Sequence, residues 1–263
     1  MLARQTSLPI STKETRFFDV HFHRGIDWYL AHYPRSRDDR PVGEVAPTYF
    51  ASDDARIRIS EVVPGARVVC VFRNPVDRVQ SHYRLKRAYG MIPWNFEQAL
   101  ANDPELLESS RYATHLRSWR QMLGADRVLA TAYDDLRDQP QAYVDQLADF
   151  LHIPRFTLTE REIGYVHSSD TMTHPRSYYR TRSAAIVADW FKARRLGHLV
   201  AAVKSSPVRK WFLGGGARFS ELPPDVLLNL YEFFRPEVED LESLLRRDLS
   251  AWKSPAGRSL ATA

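Results

Sequence analysis

ARVVCVFRNPVDRVQSHYRLKRAY, residues 66–89, is the stretch that decides the fold class. An apolar, β-branched run from Val68 to Phe72 ends abruptly at Arg73-Asn74-Pro75. A helical pattern starts there, with Val76, Val79 and Tyr83 on one face. Asn74 suits an N-cap and Pro75 the first helical position. The pattern predicts a buried strand that hands a cation to the mouth of a helix, whose free N–H groups attract anions. In open α/β sheets, ligands sit at the carboxyl ends of strands. Arg73 and, two helical turns on, Ser81 are therefore candidates to hold one phosphate. The same residues also fit a plain strand–helix corner with a solvated arginine, and the pattern alone leaves both readings open.

Working outward, helical spacing predicts helices over 26–33, 55–63, 110–123, 139–151 and 183–196. Two more successive helices are expected over 224–234 and 236–247, the second opened by Pro236. Strands are expected at 41–45, 67–72 and 127–132, with a fourth candidate at 15–18. Residues 211–224, which contain Gly214-Gly215-Gly216, read as a loop, and disorder is expected from Lys253 onward. Strands alternating with helices indicate an α/β protein with a parallel sheet covered on both faces. Three or four strands are few for a doubly wound domain of this length.

Composition narrows the function classes. The chain has 263 residues, 44% of them hydrophobic, enough for a sizeable core. Its net charge of +5 and pI of about 9.3 suit polyanionic partners such as nucleotides or sulfated and phosphorylated glycans. The basic residues are dispersed, with no basic-aromatic stripe or recognition helix, so a nucleic-acid partner is not expected. Cys70, the single cysteine, lies inside the apolar strand; a packed thiol is expected, and a disulfide framework is excluded. No apolar run is long enough to span a membrane, and the opening MLARQTSLPISTKE lacks a signal-peptide core, so a cytoplasmic protein is expected.

Several residues invite chemistry. Glu14, flanked by Lys13 and Arg16 and followed by Phe17-Phe18, is a candidate general base. Neighbouring cations lower its pKa and burial raises it, and a surface salt bridge is the competing reading. His21, His23 and His32 have spacings that a metal site uses, but no nearby carboxylate completes a set; loop histidines and no metal are expected. Gly214-Gly215-Gly216 with Arg218 reads either as an anion-binding loop or as a plain linker. Arg176, Arg180 and Arg182 fit anion contacts or a solvated helix start. Glu44, in the predicted 41–45 strand, is expected at the same sheet edge as Arg73. Asp134 and Asp135 are explained by capping. Trp28, Tyr29, Trp94 and Tyr178 suit stacking on a sugar or phenol, or core packing. The chain contains no G-x-x-x-x-G-K-[ST], no G-x-G-x-x-G and no G-x-S-x-G.

Taken in order, these segments resemble a known family. KETRFFDVHFHRGIDWYLAHYP, GEVAPTYF, VVCVFRNPVDRVQSHY, RYATHLRSWRQML and RVLATAYDDLRDQPQAYVDQLADFLHI are similar to successive segments of heparan-type glycan sulfotransferases and their bacterial relatives. The C-terminal ELPPDVLLNLYEFFRPEVEDLESLLRRDLSAW resembles the ending of bacterial members, so the likeness runs from about residue 10 to 252. It implies a three-layer αβα fold with a mostly parallel sheet, laid out like nucleoside kinases, in one domain over 1–252 with a disordered tail at 253–263. It also implies a donor, 3′-phosphoadenosine 5′-phosphosulfate (PAPS), and transfer of its sulfuryl group to a hydroxyl or amine of a carbohydrate or small-molecule acceptor. By the same resemblance Glu14 is the general base and Arg73 and Ser81 hold the 3′-phosphate. Arg218 serves in a late cofactor loop whose usual Lys-Gly-Arg reads here as Gly-Gly-Ala-Arg. Lys13, Arg16 and Glu44 are candidate acceptor contacts, and the oligomeric state is left open.

Two departures from the family follow. Its Lys-x-Gly-Thr-Thr loop, which holds the 5′-phosphosulfate, has no counterpart here, and Leu2 to Ile10 aligns after the helix that follows that loop. The first strand and phosphate loop are thus expected to be missing. An initiation codon upstream is the favoured account, over a degenerate gene or a gap filled by another segment or subunit. The alternative function is a non-catalytic remnant that binds the desulfated nucleotide or a glycan. Second, a Lys common after the position of Glu44 is Val45 here, which leaves the acceptor open.

Overall fold

Strand and helix meet where residues 66–89 predict. In the computed structural model, which describes residues 4–10, 12–34, 40–163, 173–174, 177–193 and 216–256, the elements follow in chain order. They are α1 (Ile26–Leu30), α2 (Asp53–Val62), β1 (Val68–Phe72), α3 (Pro75–Ala88), α4 (Phe96–Asn102), α5 (Glu105–Glu108), α6 (Tyr112–Leu123), β2 (Val128–Ala132), α7 (Tyr133–Asp138), α8 (Pro140–Leu151), α9 (Glu160–Ile163), α10 (Tyr178–Ala193) and α11 (Pro224–Leu245). Asn74 caps α3 by accepting from the Val76 amide at 3.0 Å, and Pro75 opens it, as expected. The chain forms two compact units. One comprises Met1–Arg73, Arg111–Val166 and Arg235–Leu249; the other comprises Asn74–Ser110, His167–Phe234 and Ser250–Ala263.

The first unit carries the sheet. β1 and β2 run parallel and in step, from Val68 opposite Val128 to Phe72 opposite Ala132. Side chains alternate across a strand, so one register serves two faces. Val69 and Leu129 face α8, where they pack on Tyr143, Val144 and Leu147, joined by Leu158 from the segment after the helix. Thr131 donates to the Cys70 carbonyl at 3.0 Å, with the Tyr143 hydroxyl 3.1 Å away. On the opposite face Phe72 stacks on Tyr112 of α6 at 4.6 Å, and Phe50 lies 5.4 Å from Phe72. Helix, sheet and helix thus form three layers. Each fully buried large side chain here, such as Trp119 or Leu116, contributes about 1.5–3 kcal/mol. Cys70 is buried in this sandwich; burial pushes its thiol up to about 12, against a smaller pull down from Arg120.

α6 has no capping side chain of its own at Arg111. Glu237 of α11 takes that role. Its carboxylate accepts from the Ala113 amide at 3.0 Å, the Thr114 amide at 3.2 Å, the Thr114 hydroxyl at 2.5 Å and Arg111 Nε at 3.3 Å.

Three expectations are corrected. Residues 41–45 form no strand; only an isolated parallel bridge joins Ser7 to Val42. Its two rungs run from the Ser7 amide to the Pro41 carbonyl and from the Gly43 amide to the Ser7 carbonyl, both 2.9 Å. The next rung on one side needs an N–H on Pro9, and on the other side an N–H on Pro41. Proline has none, so the ladder stops at both ends. Glu44 is accordingly not on a strand beside Arg73.

Residues 15–18 are not extended either. Arg16 is left-handed (φ 53°), and Phe17–His21 form a single π-helical turn. Phe17 is 1% and Phe18 4% exposed; neighbours on a strand would point to opposite faces. The turn instead sends both rings into one aromatic cluster with Tyr29.

Finally, α11 is one helix with Pro236 inside it, where two were expected. A mid-helix proline costs about 3 kcal/mol. The buried stripe of Leu230, Tyr231, Phe234, Val238 and Leu241 continues through it at helical spacing and offsets that cost.

In the second unit Tyr83 of α3 is the packing centre, with Phe96 at 5.1 Å and Phe219 at 5.9 Å. Lys86 pairs with Asp103 (2.7 Å) and Glu105 (2.5 Å). His82, one turn before Lys86, is half-buried, and its buried Nδ1 finds no hydrogen-bond partner among the described residues. Burial, then Arg78 and Lys86, push its pKa down to about 4. Helix α10 begins at Tyr178, five residues before the expected start; the expected residues 194–196 lie outside the described residues.

Candidate functional site

Glu14 lies in an irregular segment of the first unit and is half-buried. Both polar groups of the peptide that follows its Cα are held. The Thr12 hydroxyl donates to the Glu14 carbonyl at 2.9 Å. The Thr15 amide donates to Glu44 Oε1 at 2.5 Å, and the Thr15 hydroxyl donates to the same oxygen at 2.6 Å. Glu44 Oε2 accepts from the Tyr49 hydroxyl at 3.1 Å. That hydroxyl in turn accepts from the Phe18 amide at 3.3 Å, and the Phe17 amide donates to the Thr15 hydroxyl at 3.2 Å. The backbone on either side of Thr15 is thus tied to one buried polar knot.

Beyond it, Arg16 grips Asp19 Oδ2 through Nε and a terminal nitrogen, at 3.2 and 3.0 Å. Arg58 of α2 donates to the Phe18 carbonyl at 2.8 Å and the Asp19 carbonyl at 3.2 Å, and lies over the Phe22 ring. These contacts keep the π-helical turn closed. The other oxygen of Asp19 is buried and has no hydrogen-bond partner among the described residues.

Electrostatics favour a protonatable carboxyl at Glu14. Burial raises its pKa most; Lys13 and Arg16 pull it down, and Glu44 and Asp19 push it up again. The net direction is upward from 4.5. A carboxylate with raised proton affinity is a better base than a free one. Of the expected acceptor contacts, the first unit gathers Lys13, Arg16 and Glu44 around this group. Lys13 and Arg16 are exposed, whereas Glu44 is engaged inward with Thr15 and Tyr49.

Arg73 belongs to the first unit, one residue past the end of β1, and is half-buried. Ser81 belongs to the second unit, in the second turn of α3. Arg218 is in the second unit too, exposed, and forms an antiparallel bridge with Thr173. The His174 amide donates to the Ala217 carbonyl at 2.9 Å. Next along, Phe219 packs on Tyr83, so this loop meets the helix that carries Ser81. Gly216 is required here, because a Cβ would run into the His174 carbonyl. Gly214, Gly215 and Arg176 lie outside the described residues, and Arg180 and Arg182 are exposed on α10.

His21 and His32 flank Trp28, and the His23 ring lies 6.3 Å from that of His21. The His21 and His32 rings lie 5.4 and 4.4 Å from Trp28. No group of three or more His, Cys, Asp or Glu that would hold a metal occurs among the described residues. No helix among them is long and apolar enough to cross a membrane.

Sequence reasoning did not single out Thr12, Thr15, Tyr49 or Arg58. Thr15 stands next to the candidate base in KETRFF, and that adjacency was its signal, whereas Tyr49 in APTYF carried none. What could not be read was that the two segments touch.

Comparison with known proteins bears on this geometry. The sequence model of the Sulfotransferase family matches residues 7–157. The bifunctional heparan sulfate N-deacetylase/N-sulfotransferase 2 of Bos taurus is 30% identical over 174 residues, which are 60% of this chain and 20% of that protein. The human protein of the same name is 29% identical over the same shares. The chain thus spans about a fifth of the length of these relatives. Among solved structures, a sulfotransferase from Alicyclobacillus acidocaldarius superposes with a TM-score of 0.63 at 20% identity, covering 95% of this chain and 89% of that one. That likeness shows a common αβα fold.

Proposed function

Because this chain belongs to the sulfotransferase family, we propose that it transfers the sulfuryl group of PAPS to a hydroxyl or amine of a glycan or small-molecule acceptor. Glu14 takes the proton from the acceptor as its oxygen or nitrogen forms a bond to sulfur. The bond from sulfur to the 5′-phosphate oxygen breaks, and the electron pair leaves with 3′-phosphoadenosine 5′-phosphate. Such transfer resembles phosphoryl transfer: attack is in line, and catalysis is mostly positioning and charge stabilisation. Arg73 and Ser81 hold the 3′-phosphate, since a guanidinium offers a planar fork and a serine a short donor. Arg218 adds a cation to the nucleotide, and Lys13 and Arg16 meet anionic groups of the acceptor. The names of the relatives support a glycan amine among the acceptors.

The observation that carries this reading is Glu14. It is half-buried, its following peptide is held at both ends, and its proton affinity is raised. The test uses the full chain with sulfur-labelled donor and a panel of N-deacetylated glycans, sulfated glycans and phenols. Label transfer is expected, with an acidic limb in the rate above pH 4.5. Glu14→Gln is expected to lower kcat by about 10²–10⁴-fold with donor binding intact. Donor or product binding without transfer to any acceptor would make this a binding remnant instead.

A further inference from the structure

We propose that Glu44 is a positioning residue: it fixes, through Thr15, the direction in which the Glu14 carboxylate points. The inference rests on the reading of Glu14 as the base. It replaces the expectation that Glu44 meets the acceptor.

A side chain is aimed by the backbone that carries it, and Glu14 sits in a segment with no helix or strand to hold it. Its orientation therefore depends on the local peptide. The plane between Glu14 and Thr15 has two polar handles. Thr12 holds the carbonyl end at 2.9 Å, and Glu44 Oε1 holds the N–H end at 2.5 Å. Rotation about that plane breaks one bond or the other. Glu44 is itself steadied: Oε1 also takes the Thr15 hydroxyl, and Oε2 takes the Tyr49 hydroxyl. Tyr49 is a buried ring that also receives the Phe18 amide. Glu44 thus links the segment before the π-helical turn to the body of the unit. An active-site group displaced by about 1 Å can cost about a hundredfold in rate.

Glu44 has a second effect, through its charge. Glu14 faces Lys13, Arg16, Asp19 and Glu44. Glu44 faces Tyr49, Tyr29 and Tyr33, whose hydroxyls are raised in pKa, mainly by burial, and stay protonated. Charge on Glu44 therefore falls on Glu14, where it holds the proton more tightly.

The test pairs two variants. Glu44→Ala removes the anchor and is expected to lower kcat about ten- to a hundredfold, leaving the KM for donor unchanged. Glu44→Gln keeps an acceptor oxygen for Thr15 but removes the charge. It is expected to keep most of kcat and to move the acidic limb to lower pH. The same shift is read without turnover by carbon NMR of Glu14 in protein with ¹³C-labelled glutamate side chains, assigned by comparison with Glu14→Gln. A downward shift of the Glu14 titration in Glu44→Gln supports the placement even if no acceptor is ever sulfated, which would instead overturn the assigned reaction. If Glu44→Ala fails to fold, the Gln variant still decides. An unmoved Glu14 titration in Glu44→Gln overturns the proposal. So does a loss in Glu44→Ala confined to the KM for acceptor.

Discussion

Removing the Glu237 carboxylate tests how α6 is held. Three uncharged donors converge on it: the Ala113 and Thr114 amides and the Thr114 hydroxyl. Its side chain is only 14% exposed. A hydrogen bond to a charged group is worth about 1.5–3 kcal/mol. The amides lie at a helix mouth, where water entering the space left by Ala recovers part of that. Arg111, at 41% exposure, adds little to the pair. Glu237→Ala is therefore expected to destabilise the first unit by about 2–4 kcal/mol. Glu237→Gln keeps one acceptor oxygen but loses the charge facing the helix dipole, and should cost about 1–2 kcal/mol. Urea unfolding followed by circular dichroism measures both, at constant m-value. A Glu237→Ala protein within about 0.5 kcal/mol of wild type, the range of an ordinary surface change, would refute the reasoning.

Two further outcomes are expected. His82 titrates at about 4 in the fold and near 6.5 when unfolded. The unfolded chain therefore binds the proton more readily, and stability is complete above about pH 6.5 and falls as pH drops toward 4. The loss is at most about 3 kcal/mol, and a pH series of urea melts should show it shrinking in His82→Gln. Gly216→Ala would push a methyl against the His174 carbonyl. It is expected to break the pairing of Thr173 with Arg218 at a cost of about 1–3 kcal/mol, read as faster hydrogen exchange at the His174 amide.

The strand–helix corner at residues 66–89 was legible because its signals are local. β-branched apolar residues, an Asn cap and a Pro at the first helical position need no distant partner. The helices over 112–123 and 140–151 were legible through their apolar stripes. The lost strand at 41–45 was a matter of pairing: Val42 suits a strand, but the rungs it needs fall on Pro9 and Pro41. Phe17-Phe18 looked extended because aromatic residues favour strands, while the demand to bury both rings selected a turn. Pro236 looked like a helix start because the stripe that carries α11 past it depends on tertiary burial. At the site, Glu14 could be picked out as a candidate from its neighbours in sequence, and its role as base only from the family resemblance. The role of Glu44 could not, since it depends on a contact across 29 residues with Thr15. Glu237 was hidden for the same reason, at still longer range.

The solitary thiol has a use. Cys70 is closed off between β2 and the layers above and below it, and in its native setting the sulfur holds its proton far above neutral pH. Alkylating reagents attack the thiolate, so the folded chain is chemically quiet. Each molecule that takes up label must first have opened its central layer. The rate of labelling is then a clock for that opening, built into the natural sequence at one atom. A cysteine introduced anywhere on the surface would react alone, which lets a probe be placed without removing the native one.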